Sequence, residues 1–145
     1  MEKLSSILVL LLMITACKSE YGPQESLRNY VNYRFSSDQT KEETLSLLTG
    51  QLYSEIKKMD DQEFDQFSRV NEINKKKFKI LANNCEEKKC FITYIVKYEK
   101  FDNKDKSFLV DTKKVAELLY VDNEWKISDV SNIKTFYNSL EEIAP

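Results

Sequence analysis

The spacing of apolar side chains divides the chain after residue 20 into a helical part and a β part. Leu27, Tyr30, Val31 and Phe35 follow Pro23 at intervals of three and four residues, which is the spacing of one helix face. Proline is tolerated at the first position of a helix. The pattern therefore predicts a first helix that begins at Pro23.

Capping signals and glycine predict three further short helices. Thr40–Glu43 and Asp60–Glu63 each place a hydroxyl or carboxylate three residues before a glutamate, as in a capping box. Gly50 is a natural left-handed stop for the helix that begins near Thr40. The apolar positions that define the second, third and fourth helices are Leu45, Leu48, Leu52, Ile56, Met59, Phe64, Phe67 and Val70.

From Lys76 onward the apolar period changes to two, which indicates strands. Turn residues at 102–105 and at Asp122-Asn123 separate the later segments. The alternating apolar positions are Phe78, Ile80, Ala82, Ile92, Tyr94, Val96, Tyr98, Phe108, Val110, Ala116, Leu118, Tyr120, Trp125 and Ile127. Helices followed by hairpin-linked strands predict an α+β fold, with N-terminal helices packed on an antiparallel sheet of about four strands.

The segment before the first helix has the features of an export signal. Lys3 precedes an unbroken run of eight apolar residues, Ile7–Ile14, whereas a membrane-spanning helix needs about 20. The run ends in Ile14-Thr15-Ala16-Cys17, which resembles the lipobox of bacterial lipoproteins.

This resemblance implies that residues 1–16 are a signal peptide, that Cys17 becomes the acylated first residue, and that residues 17–22 tether a single domain at 23–145. The expected partner is then the membrane, through the lipid anchor at Cys17, and the expected location is the periplasmic side of a bacterial outer membrane. Lys18, where an Asp retains some lipoproteins in the inner membrane, favours the outer one. The alternative is an ordinary signal peptide cut after Ala16, which leaves a free thiol.

The remaining two cysteines, Cys85 and Cys90, flank four charged residues between strand-like segments. Across a hairpin their Cβ atoms come close to disulfide range, and disulfides persist in the periplasm. The alternative is half of a zinc site, but no further Cys or His is present to complete four ligands. We therefore predict a disulfide and no metal site.

Composition excludes several classes of function. The 145 residues carry 22 Lys+Arg and 24 Asp+Glu, a net charge of −2, which argues against a nucleic-acid binder. The absence of His removes His-based acid–base and nucleophile systems. No cofactor is indicated.

The order of elements over residues 23–137 resembles the nuclear transport factor two-like superfamily, also called ketosteroid-isomerase-like or cystatin-like. Its members often end in a strand comparable to Trp125-Lys-Ile-Ser-Asp-Val130. The resemblance implies helices lying in the concave face of a curved sheet, forming a cone that often holds a ligand. The alternative fold is another helix-plus-meander arrangement without the cone.

The alternation of side chains along the strands indicates candidate residues for the wall of such a cavity. If the even positions of Phe108–Tyr120 face inward, Thr112 and Lys114 do so too, and Asp129 shares parity with Trp125 and Ile127. The candidate cavity-lining residues are Tyr30, Tyr33, Tyr94, Thr112, Lys114, Trp125 and Asp129. An inward Asp129 is a candidate general base, as in isomerases of that fold. Alternatively, a bulge reverses the parity, and Asp129 only caps the turn at Ser131-Asn132.

Three functions remain as expectations. The leading one is a lipid-anchored, non-catalytic binding or interaction module, whose partner is another protein or a small apolar ligand. The second is a small-molecule enzyme that uses Asp129. The third is a structural or assembly-accessory protein of the envelope.

Overall fold

The computed structural model describes residues 21–69, 73–101 and 107–139. Within these ranges the chain forms four helices and then four strands. They are α1 (Pro23–Arg34), α2 (Lys41–Ser46), α3 (Gly50–Lys58), α4 (Asp61–Ser68), β1 (Ile73–Glu86), β2 (Lys89–Phe101), β3 (Ser107–Val121) and β4 (Glu124–Ser139). The strands form one antiparallel sheet in the order β1-β2-β3-β4. The predicted α+β class is confirmed.

Some predictions fall outside the described ranges. These are the signal peptide, Cys17 and most of the tether, together with the turn at 102–105 and the contribution of Val70 to α4.

Local capping explains where the helices begin. Pro23 occupies the first turn of α1, as predicted. At α4 both halves of the predicted capping box form, with Glu63 N donating to Asp60 Oδ1 at 2.8 Å and Asp60 N donating to Glu63 Oε2 at 2.9 Å. At α2 only Thr40 Oγ1 caps, accepting from Glu43 N at 3.2 Å.

The helices cover one face of the sheet, and the core lies between them. It is built from the inward helix positions and from the even-numbered residues of β2 and β3, as their alternation predicted. The core side chains are Leu27, Tyr30, Val31, Leu48, Ile56, Phe64, Cys90, Ile92, Tyr94, Val96, Ala116, Leu118 and Ile127. The outer face carries cross-strand ion pairs such as Lys97–Asp111, with an N–O distance of 2.6 Å.

Bulges bend β4 and change which of its residues face the helices. Glu117 pairs with Asp129 but Leu118 pairs with Ile127, so Ser128 is an extra residue in β4. The alternation inverts at this point: Ile127 is buried, and Val130 rather than Asp129 packs against the core. The face expected to be shared by Ile127 and Asp129 is therefore not found.

Close contacts of Gly50 and its neighbours attach the helices to the bulge at Ser128. Leu48 forms a parallel bridge with Ile127, and Thr49 N donates to Ile127 O at 2.8 Å. Gly50 has a φ of +58°, and a Cβ at this position would lie 3.1 Å from Ser128 Cβ. The left-handed conformation is the predicted one, but Gly50 begins α3 instead of ending α2.

Candidate functional site: a cavity between helices and sheet

A cavity of about 230 Å³ lies between α1, the end of α4 and the concave face of the sheet. Its apolar wall is largely aromatic. The aromatic residues that line it are Tyr30, Phe35, Phe67, Tyr94 and Tyr98. Aliphatic side chains complete the wall, namely Val31, Ile73, Val96 and Val130. Such a mixture of apolar surface with a few polar groups is typical of small-molecule sites.

The charged side chains among the described residues of the cavity wall are all positive. Arg34, Arg69 and Lys114 line it, and no Asp or Glu occurs among the described residues of its wall. Cations gathered without acidic neighbours repel one another and favour a negatively charged occupant.

Arg34 is held firmly in the last turn of α1. Its Nη2 donates to the backbone oxygen of Phe67 at 2.9 Å, and its Nη1 donates to Gln39 Oε1. The guanidinium carbon lies 3.8 Å from the centroid of the Phe67 ring, a cation–π contact. All of these partners are neutral, and one of them is a backbone carbonyl in the last turn of α4. The contacts among the described residues therefore leave the positive charge of Arg34 unbalanced.

Arg34 reaches the cavity because it continues the inward face of α1. It follows Tyr30 by four residues and Val31 by three, and both of those side chains are buried. Burial lowers the pKa of Arg34, and the nearby hydroxyl of Tyr30 partly opposes this effect.

Lys114 enters the cavity from the sheet. It lies on β3 between Tyr94 of β2 and Asn132 of β4 in the strand register. Within the described part of the chain its ammonium group has neither an ion pair nor a hydrogen bond. Burial lowers its pKa, and the positive charge of Arg34 lowers it further. The side chain is thus a half-buried cation that meets a second cation.

The tyrosine hydroxyls around the cavity are kept protonated. Burial raises the pKa of Tyr30, against the opposing charge of Arg34. Burial also raises the pKa values of Tyr94 and Tyr98. At neutral pH these hydroxyls are available as hydrogen-bond donors and acceptors, and they do not act as bases.

Three of the predicted cavity residues line the cavity, namely Tyr30, Tyr94 and Lys114. Thr112 shares their face of the sheet and is 3% exposed, but it does not line the cavity. Its Oγ1 makes no hydrogen bond of ordinary geometry, although the hydroxyl faces Tyr98 and opposes the rise of the Tyr98 pKa.

The other three predicted residues lie elsewhere. The hydroxyl of Tyr33 accepts from Thr40 N at 2.8 Å and donates to Glu43 Oε2 at 3.0 Å, completing the α2 cap. Trp125 packs against Tyr120 across a hairpin, with ring centroids 5.4 Å apart. The carboxylate of Asp129 accepts from Ser131 Oγ at 3.0 Å, but this contact lies within β4, which continues through Ser131 and Asn132 where the alternative expected a turn.

Sequence reasoning missed several residues of the wall, most importantly Arg34. The signal was available, since the i+4 spacing from Tyr30 puts Arg34 on the buried face of α1. Tyr98 follows Tyr94 and Val96 at intervals of two residues, so the alternation along β2 already predicts that it lies on the same face. Val130 follows Ile127 by three residues instead of two, and strict alternation along β4 places it on the outer face, whereas the extra residue Ser128 turns it inward.

The cysteine pair lies at the tip of the β1–β2 hairpin, away from the cavity. Cys85 and Cys90 are directly opposite in the register, with Cα atoms 4.0 Å apart, and their sulfur atoms are at disulfide distance. Glu86 and Lys89 still pair as strand residues, so the turn consists of Glu87-Lys88 and is shorter than the four-residue loop expected.

Comparison with known proteins finds no match for this chain among protein-family models, curated proteins or solved structures. In residues 21–69, 73–101 and 107–139, no helix is both long and apolar enough to cross a membrane. The same ranges contain no cluster of three Cys, Asp or Glu side chains placed to hold a metal ion. The site is therefore interpreted from its own geometry.

Proposed function

We propose that this protein is a lipid-anchored binding module of the bacterial cell envelope, and that the cavity between helices and sheet is its binding site. The observation that carries the proposal is the half-buried Lys114, which has no partner among the described residues, beside Arg34 in a wall rich in aromatic side chains. Unpaired charge in a partly apolar site costs stability, and a bound partner that neutralises the charge accounts for its presence. We propose binding rather than catalysis because Asp129, the general base expected from the sequence, does not line the cavity and instead accepts a hydrogen bond from Ser131.

The anchoring part of the proposal rests on the opening sequence. The lipobox-like Ile14-Thr15-Ala16-Cys17 would place two or three acyl chains on Cys17, and each buried CH₂ contributes about 0.8 kcal/mol to membrane binding. The six residues from Cys17 to Gly22 extend at most about 20 Å. An anchored domain would thus stay near the periplasmic surface of the outer membrane.

Two further features support the same proposal. The Cys85–Cys90 pair at disulfide distance suits an oxidising compartment such as the periplasm. Helices followed by a four-stranded antiparallel sheet, with Trp125, Ile127 and Val130 in the closing strand, support membership of the nuclear transport factor two-like superfamily. Members of that superfamily often hold ligands between their helices and sheet.

The anchor is tested by expressing the complete chain in a diderm bacterium with an alkyne-tagged fatty acid. The expected result is a membrane-bound, labelled protein whose first residue is Cys17 by mass spectrometry. Cys17→Ser, or the signal-peptidase inhibitor globomycin, should block maturation, while the matched control Cys85→Ser should still be labelled. Detection of an intact Met1 without acyl chains would refute the anchored role.

The binding role is tested separately, by crosslinking intact cells and by ligand titration of the purified protein. A small molecule that binds the cavity supports the proposal. A protein recovered at the outer sheet face, with no occupant of the cavity, would favour the assembly-accessory alternative instead.

A further inference from the structure

The cavity also indicates the chemistry of its occupant, an inference that rests on the proposed binding function. Three cations line the cavity, and two of them come from opposing faces, Arg34 from α1 and Lys114 from β3. The charge of Arg34 acts on Lys114, so the two groups share one electrostatic environment. An anionic group between them would relieve this repulsion.

The two cations have different tasks. The guanidinium of Arg34 is fixed by Gln39, by the backbone of Phe67 and by the Phe67 ring. The ammonium of Lys114 has no such contacts within the described ranges, so its three N–H donors are available to a ligand. Lys114 is therefore the group expected to bond an anion directly, and Arg34 contributes a fixed positive potential.

The apolar wall and the volume limit the rest of the occupant. An apolar cavity of about 150 Å³ accommodates benzene, so about 230 Å³ has room for one ring with a small acidic group. An inorganic anion would leave the aromatic wall uncovered. Aromatic side chains such as Tyr94 and Tyr98 offer a ring both stacking and edge-to-face contacts.

We infer that the cavity binds a small organic anion, a single apolar ring or body of similar size carrying a carboxylate, with the carboxylate bonded to Lys114 under the positive potential of Arg34 and the apolar part packed against the tyrosine wall.

The experiment compares a charged probe with its neutral analogue on matched variants. The complete chain is produced in a diderm host, reconstituted in phosphatidylcholine nanodiscs, and titrated with 4-fluorobenzoate or 4-fluorobenzamide by ¹⁹F NMR, against empty nanodiscs. The test variant is Lys114→Met. The control variant is Lys113→Met, because Lys113 is the next residue of the same strand, points to the opposite face and is exposed.

The expected result is a dependence on charge at one position only. 4-Fluorobenzoate should bind at least about tenfold more tightly than 4-fluorobenzamide, as expected for a charge-assisted hydrogen bond. Lys114→Met should remove most of that preference without weakening the amide, the remainder coming from the positive potential of Arg34, and Lys113→Met should change either affinity less than about twofold. Circular dichroism melting checks that both variants fold, and the acid–amide comparison on the unaltered chain stands even if one does not.

Four results would overturn the inference. Equal affinity for acid and amide would show that the cavity does not distinguish a charged from a neutral ligand, although the binding function itself would stand. Equal losses in Lys113→Met and Lys114→Met would show a general charge effect. Displacement of 4-fluorobenzoate by inorganic phosphate at lower concentration would show a simple anion site. Binding of neither probe would count against the inference and against the cavity as a binding site together.

Discussion

Gly50 offers the most direct test of how the helices are attached to the sheet. The chain has two glycines. Gly50 has a φ of +58° and approaches Ser128, whereas Gly22 has a φ of −64° and open space where a Cβ would lie, with no atom within 4 Å. The substitutions Gly50→Ala and Gly22→Ala therefore add the same methyl group to a strained and to an unstrained position.

The expected cost at Gly50 has two parts. An L-residue in the left-handed region costs roughly 1–2 kcal/mol. The added Cβ also meets Ser128 Cβ at 3.1 Å, so the bulge must shift by a few tenths of an ångström. The reduced freedom of the unfolded chain returns about 0.4–1 kcal/mol. We expect a net loss of about 1–2 kcal/mol of unfolding free energy, or a fall in Tm of about 3–10 °C for a domain of this size.

Urea unfolding followed by circular dichroism measures this loss, with Gly22→Ala expected to cost less than about 1 kcal/mol, because Gly22 is the N-cap of α1 and alanine is a poorer cap than glycine. A double-mutant cycle with Ser128→Gly separates the two parts, because removal of the Ser128 side chain relieves the contact but not the φ strain. If Gly50→Ala unfolds at the same urea concentration as Gly22→Ala, neither the left-handed turn nor the close approach to the bulge is correct.

Three other predictions concern the cavity and the hairpin. Lys114→Met should raise the stability of the ligand-free protein by about 1 kcal/mol, because it replaces a half-buried charge by an apolar group, whereas Lys113→Met should not. Calorimetry that finds both unchanged would contradict the burial of Lys114. The three cavity tyrosines, whose pKa values are raised, should contribute stability that is intact below their ordinary pKa of 10.0 and lost as the pH rises above it, because the tyrosines of the unfolded chain ionise first. The lowered pKa of Lys114 changes stability in the opposite direction as the pH rises. Urea midpoints that stay constant or rise above pH 10 would contradict the burial of the tyrosines. Reduction of the Cys85–Cys90 pair should lower stability by about 2 kcal/mol for a loop this short, a loss that dithiothreitol should not produce in the double Cys→Ala variant.

Local signals predicted the elements well because they depend on neighbouring residues. The capping box at Asp60–Glu63, Pro23 at the start of α1 and the Asp122-Asn123 turn are each decided within a few residues. The even-numbered face of β3 was also predicted, since no bulge interrupts that strand and its alternation holds from Val110 to Leu118. Tyr30, Tyr94 and Lys114 were placed at the cavity on these grounds.

What the sequence by itself determined is the α+β order of elements, the inward face of each uninterrupted strand and helix, and the opposition of Cys85 and Cys90. Only the tertiary structure decided which side chains of β4 face the helices. Contacts between residues far apart in sequence, chiefly Gly50 against Ser128 and Leu48 beside Ile127, accompany an extra residue in the strand. That residue inverts the alternation, which turns Val130 toward the cavity and Asp129 away from it. Strict alternation applied along the whole strand does not predict such an inversion, because a shift of one residue exchanges the two faces of a strand without changing its composition.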